Sequence, residues 1–175
     1  MTECRDSTLP PELVEMARKV VDANRAAGLK LATAESCTGG LVAAALTEIP
    51  GSSDVFEASF ITYSNVAKIQ LLGVSQDVVE TFGAVSVATA WAMAQQALRK
   101  TSADVAVAVT GIAGPGGGTA KKPVGTVVFA RARRGADPDD IVADQKDFGE
   151  LGRGGVRLQA ALCCLELLMP DSPDP

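Results

Sequence analysis

Three short runs hold the side chains that could do chemistry. They are Ala34-Glu35-Ser36-Cys37-Thr38-Gly39-Gly40, Thr62-Tyr63-Ser64-Asn65-Val66-Ala67-Lys68 and the glycine-rich stretch from Thr110 to Gly118. The first places a serine and a cysteine just ahead of two glycines. At a strand-to-helix turn, free N–H groups at the helix start can stabilise an oxyanion, and the helix dipole favours the developing charge. Ser36 is the first candidate nucleophile. Cys37 is its rival, since the same helix terminus can lower a thiol pKa. The plainer role for Ser36 or Thr38 is a helix N-cap, with Gly39 and Gly40 allowing close packing.

The chain has no histidine. That count excludes a Ser-His-Asp triad, a Cys-His dyad and imidazole ligation of a metal. A serine nucleophile here needs another base. A partly desolvated lysine can be neutral and accept the proton. Lys68 falls one turn into an expected helix, behind a strand end that carries Tyr63, and both would aim at the crevice of Ser36. The alternative for Lys68 is an ordinary solvated lysine. In the third run, glycine-rich backbone after a buried strand can bring N–H groups against a phosphate. It does not fit the Walker pattern, because neither Lys121 nor Lys122 follows a glycine at the required spacing, nor G-x-G-x-x-G, because the residue three after Gly118 is Lys121. A flexible loop is the alternative. Arg153 and Arg157 open the last helix, where cations oppose the dipole. An anionic ligand between them would relieve this; solvation would also do so.

The elements that must position these residues alternate. Leu13, Met16, Ala17, Val20 and Val21 form one apolar stripe and predict a helix from Pro11, with Gly28 as its C-cap. Strands are expected at 30–34, 55–63, 104–109 and 124–130, with an edge strand at 141–148. Helices are expected at 41–49, 65–72, 76–82, 86–100 and 151–169, the fourth with Ser86 as N-cap. Asp104–Val109 is an almost continuous apolar run, as in a strand buried on both faces. This alternation predicts a three-layer α/β/α sandwich with a mostly parallel sheet and one antiparallel strand. Sites in such sheets gather at the carboxyl ends of strands. Residues 1–10 and 170–175 are expected to be frayed.

The 175 residues fit one domain, with a core over about 10–169. There are 16 Lys+Arg and 21 Asp+Glu, a net charge of −5, which argues against a protein that coats nucleic acid. Aromatics are only 4%, little material for base-stacking platforms. The start of the chain has no apolar run and no 18-residue apolar stretch occurs, so neither a signal peptide nor a membrane span is expected. The four cysteines form no C-x-x-C, and Cys163 and Cys164 are adjacent. Free thiols in a reducing cytoplasm are the expectation. A small-residue domain of this kind is compatible with a homo-oligomer.

The runs AESCTGG (34–40), TYSNVAK with LLGV (62–74), GAVS (83–86), and VTGIAGPGGG with KPVGTV (109–127) resemble the CinA C-terminal domain family. The likeness covers roughly residues 10–169, with several motifs in order. Members include stand-alone nicotinamide-nucleotide amidases. The resemblance implies the same α/β/α fold and hydrolysis of the carboxamide of nicotinamide mononucleotide, giving nicotinate mononucleotide and ammonia. It implies a Ser/Lys amidohydrolase with Ser36 as nucleophile, Lys68 as general base and Tyr63 as a supporting hydroxyl. Thr38, Gly39 and Gly40 would supply oxyanion amides. Thr110, Gly111, Gly114, Gly116 and Arg153 would hold the nucleotide. No metal or organic cofactor is implied.

Two positions depart from the family pattern. Val66 stands where glutamate is common, and Gly152 where an acidic residue usually precedes the first arginine. Longer members carry a further N-terminal domain resembling molybdopterin-binding proteins, which this chain is expected to lack. Two other readings stay open: a nucleotide-binding module without turnover, and an interaction factor linked to DNA uptake or repair.

Overall fold

The computed structural model describes residues 7–137 and 140–171. Its five-stranded sheet has the order β2-β1-β3-β4-β5. The strands are β1 (Leu31–Glu35), β2 (Phe56–Ile61), β3 (Val105–Gly111), β4 (Thr126–Arg133) and β5 (Val142–Asp147). β1 pairs in parallel with β2 and β3, whereas β4 is antiparallel to both β3 and β5. β4 alone therefore runs against the rest, as the sequence predicts. The reason is the connection. Parallel neighbours need a crossover element, and the glycine loop between β3 and β4 contains none, so the chain turns straight back.

Helices α1 (Pro11–Ala27), α2 (Leu41–Thr47) and α6 (Gly152–Leu167) cover one face; α5 (Val87–Lys100) covers the other. Between β2 and α5 lie the short α3 (Asn65–Ala67), a π-helical turn (Lys68–Leu72) and α4 (Gln76–Phe82). Strand periodicity sorts the core. On β3, Val105, Val107 and Val109 face the three-helix side, while Ala106 and Ala108 face α5. The alanine face lets α5 settle close to the sheet. Gly28 ends α1 in the left-handed conformation at φ 67°, and the Ser86 side chain caps α5 by accepting from Thr89 N–H.

Phe129 is the largest apolar side chain fully buried in the sheet, edge-on to Phe148 with ring centroids 6.4 Å apart. Phe129→Ala should cost about 3–5 kcal/mol by leaving a cavity. Urea unfolding checks this; a loss below about 1 kcal/mol would contradict the packing.

The chain ends differ from expectation where they are described. Leu9 packs on the core, and Asp171 pairs with Arg131 and Arg133. Residues 7–10 and 170–171 are thus tied down by apolar contact and charge; the remaining end residues lie outside the described ones. Among the described residues, no helix is long and apolar enough to cross a membrane, and no group of three or more Cys, Asp or Glu side chains could hold a metal. Cys37, Cys163 and Cys164 are free and buried; Cys4 lies outside the described residues.

Candidate active site

β1 lies between β2 and β3, and the chain leaves it over one face and reaches β3 over the other. This is the switch point of an open α/β sheet, where a crevice opens beyond the strand carboxyl ends. Ser36 follows β1, Thr62 and Tyr63 follow β2, and Thr110 and Gly111 end β3. The register places Glu35 beside both Ile61 and Val109, so the three strand ends arrive level. They enclose a cleft of about 280 Å³.

Ser36 and Lys68 meet at its floor. Lys68 Nζ lies 2.9 Å from Ser36 Oγ, and it donates to the carbonyl oxygens of Thr62 at 2.9 Å and Tyr63 at 3.4 Å. Lys68 is 1% exposed, the largest fully buried side chain among the described residues. It reaches this point because Ser64 caps α3, accepting from Ala67 N–H, and the backbone then widens into the π-helical turn that begins at Lys68. Burial holds its ammonium below the usual lysine pKa; only a thiolate at the neighbouring Cys37 would work the other way. A neutral amine has two N–H groups for the two carbonyls, leaving its lone pair for the serine hydroxyl.

Cys37 also lines the cleft, but burial, with the Glu35 charge adding to it, pushes its thiol up to about 11. It is therefore a protonated wall at neutral pH. This separates the two rival nucleophiles of the sequence on physical grounds.

The other expected residues divide. Thr110, Gly111, Gly114, Gly116, Tyr63 and Arg153 line the cleft. Thr110 Oγ1 donates to the Ala84 carbonyl and so ties β3 to the 83–86 wall. Gly111 has no room for a side chain: a Cβ would stand 2.8 Å from Val127 Cγ2 and 2.9 Å from the Thr126 carbonyl. Gly114 holds φ +81°, and a Cβ would meet Val124 Cγ1 at 2.5 Å. Tyr63 is 58% exposed, and its hydroxyl accepts from Arg153 Nη2 at 2.8 Å rather than reaching Ser36. Arg153 Nη1 donates to the Gly114 carbonyl at 2.8 Å. The arginine thus spans the mouth between two walls. Arg157 donates instead to the Thr38 carbonyl.

Thr38, Gly39 and Gly40 do not line the cleft. Thr38 Oγ1 and Gly40 N–H donate to the buried Glu35 carboxylate, and Gly39 N–H donates to the Ser36 carbonyl. The amides that remain without an oxygen acceptor among the described residues are those of Cys37 and Thr38, which lie against the Cys37 sulfur. Of the three amides expected from the sequence, Thr38 keeps its N–H without an oxygen acceptor among the described residues, while Gly40 is taken by Glu35, which turns inward, and Gly39 by the Ser36 carbonyl. Sequence reasoning also missed Asn65 on the rim, and Lys122, whose Nζ donates to the Val85 carbonyl at 2.6 Å and so fastens the glycine loop to the 83–86 wall. Val66 faces away, into a neighbouring groove with Ile69 and Val79, and Gly152 opens α6 at φ +69°.

A curated competence-damage inducible protein of Symbiobacterium thermophilum is 60% identical over 145 residues, 81% of this chain. The chain spans about a third of that relative's length, 34%. A nicotinamide-nucleotide amidohydrolase of Enterobacter agglomerans is 49% identical, and the match covers 88% of this chain and 92% of the relative. The crystal structure of a competence/damage inducible protein from Agrobacterium tumefaciens superposes with a TM-score of 0.88 at 48% identity, covering 93% of this chain and 96% of that one. The model of the CinA C-terminal domain matches residues 13–171, and on these grounds the chain belongs to the CinA C-terminal domain family.

Proposed function

We propose that this chain is an amidase that hydrolyses the carboxamide of nicotinamide mononucleotide to nicotinate mononucleotide and ammonia. The observation that carries the reading is the buried Lys68 Nζ at 2.9 Å from Ser36 Oγ, with no carboxylate among the described residues paired to the amine. The relative from Enterobacter agglomerans, matched over most of both chains, has a name that supports the substrate class. Pocket residues come from Ser36 through Arg153, so we read the chain as one amidohydrolase domain.

Lys68 takes the Ser36 proton as Oγ attacks the amide carbon. The tetrahedral oxyanion is assigned to the Cys37 amide, the one next to the nucleophile, as in other serine hydrolases with a strand-turn-helix nucleophile. Lys68 then gives its proton to the departing nitrogen, and ammonia leaves. Water, deprotonated by the same amine, resolves the acyl-enzyme. Arg153, with guanidinium N–H groups to spare at the mouth, and the glycine-loop amides meet the 5′-phosphate.

The test is ammonia release from nicotinamide mononucleotide and from nicotinamide riboside, which lacks the phosphate. The mononucleotide should be turned over, and the riboside should have a kcat/KM at least about tenfold lower, since a charge-assisted phosphate contact is lost. No ammonia from the mononucleotide would sink the reading.

A further inference from the structure

Ser36, just after β1, and Lys68, in the π-helical turn beyond β2, are 32 positions apart. One residue touches the support of both. The Glu35 side chain is 0% exposed. Its Oε2 accepts from Thr38 Oγ1 at 2.7 Å, Gly40 N–H at 2.9 Å and Val42 N–H at 3.2 Å. Its Oε1 accepts from Ala43 N–H at 2.8 Å and Ser59 Oγ at 3.4 Å. Helix α2 has no capping side chain of its own, because its N-cap is Gly40. Glu35 caps it from the neighbouring strand.

The main chain of Glu35 serves the other half. Its carbonyl accepts from Thr62 N–H at 2.9 Å, and the Thr62 carbonyl accepts from Lys68 Nζ at 2.9 Å. Ser36 is therefore bonded to Glu35, the turn after it is anchored on the Glu35 carboxylate, and Lys68 is one peptide away. A buried carboxylate is expensive unless donors surround it. A serine, threonine or aspartate at the N-cap would satisfy the helix more cheaply. What the longer reach from β1 adds is a fixed link between the strand end and the first turn of α2.

We propose that Glu35 is a positioning residue that holds Ser36 Oγ against Lys68 Nζ by capping α2 from β1; the proposal rests on the amidase reading above. Glu35 touches no substrate. Without its charge the 37–40 turn loses its anchor, and Ser36 no longer keeps the geometry that proton transfer needs. Binding of the nucleotide at Arg153 and the glycine loop is untouched.

Glu35→Gln keeps the volume but sets an NH2 against backbone N–H donors at whichever end it occupies. Its kcat should fall by about 100-fold, the usual consequence of an ångström of misplacement, with KM within about threefold. A fluorophosphonate that labels serine nucleophiles reads Ser36 reactivity with no amide present. Labelling at Ser36 per folded molecule should slow by a similar factor. Thr38→Val removes a single hydrogen bond to the carboxylate and is the gentler variant if Glu35→Gln folds poorly; its labelling should slow about three- to tenfold.

A residue that only stabilised the fold would change the folded fraction and leave both labelling rates per folded molecule at the wild-type value. That result overturns the positioning role while leaving Ser36 as nucleophile. Wild-type protein that is not labelled at Ser36 overturns the nucleophile assignment and the positioning role together.

Discussion

Ser36→Ala should lower kcat for ammonia release by at least about 10³-fold, because a nucleophile and its base act as a unit and loss of either removes most of the covalent route. The fold should survive. Among the described residues the serine hydroxyl has one side-chain partner, Lys68 Nζ, and that amine keeps the carbonyls of Thr62 and Tyr63. The stability cost should stay within about 1.5 kcal/mol, the range for a single lost hydrogen bond.

The control is Cys37→Ala. A thiol whose pKa stands near 11 contributes almost no thiolate at pH 7, so this variant should keep kcat within about threefold. The pair of variants separates two nucleophiles that are adjacent in sequence. Residual turnover in Ser36→Ala that disappears on alkylation would reverse the assignment and put Cys37 in its place.

How much of this site is legible in the sequence depends on where each constraint comes from. Ser36 and Lys68 are readable because local rules place both. A strand-to-helix turn presents the serine, and a helix begun at Ser64 turns the lysine back over the strand end. Their meeting is then a consequence of β1 and β2 being parallel neighbours. The antiparallel β4 is foreseeable from the missing crossover.

Glu35 is not readable. A glutamate ending a strand looks like any solvated charge, and its inward turn depends on how the start of α2 (Gly40, Val42, Ala43) folds back over it, with Ser59 of β2 alongside. The same holds for the partners of Arg153. Sequence places the arginine at a helix start, where it is awkward for the dipole, but its partners Gly114 and Tyr63 lie 39 and 90 positions away. Of the expected oxyanion donors, Thr38 N–H keeps no oxygen acceptor among the described residues, whereas Gly40 N–H is taken by the buried Glu35 carboxylate and Gly39 N–H by the Ser36 carbonyl.

Lys68 carries the second large effect, and it has a pH signature. On the proposed mechanism only the neutral amine is active, so kcat/KM should rise with pH through the Lys68 pKa and level off below the ordinary lysine value of 10.5, because burial lowers it. Lys68→Arg keeps the charge but cannot give up its proton in this range. Its activity should fall at least about 10³-fold at every pH, with no rising limb. Recovery of Lys68→Arg at high pH would refute lysine as the base.

The same shift must also appear in stability. Between the lowered folded pKa and 10.5, the unfolded chain binds a proton at Lys68 that the folded chain does not. Stability from this group therefore increases as pH rises across that window. Below it both states are protonated and the full cost of burying the ammonium is paid. Lys68→Met, matched in length and without charge, has no such dependence. The stability of wild type relative to Lys68→Met should therefore climb with pH across that window, measured by urea unfolding at a series of pH values. A flat difference would mean that Lys68 titrates as a solvated lysine, and the amine could not then serve as the base near pH 7.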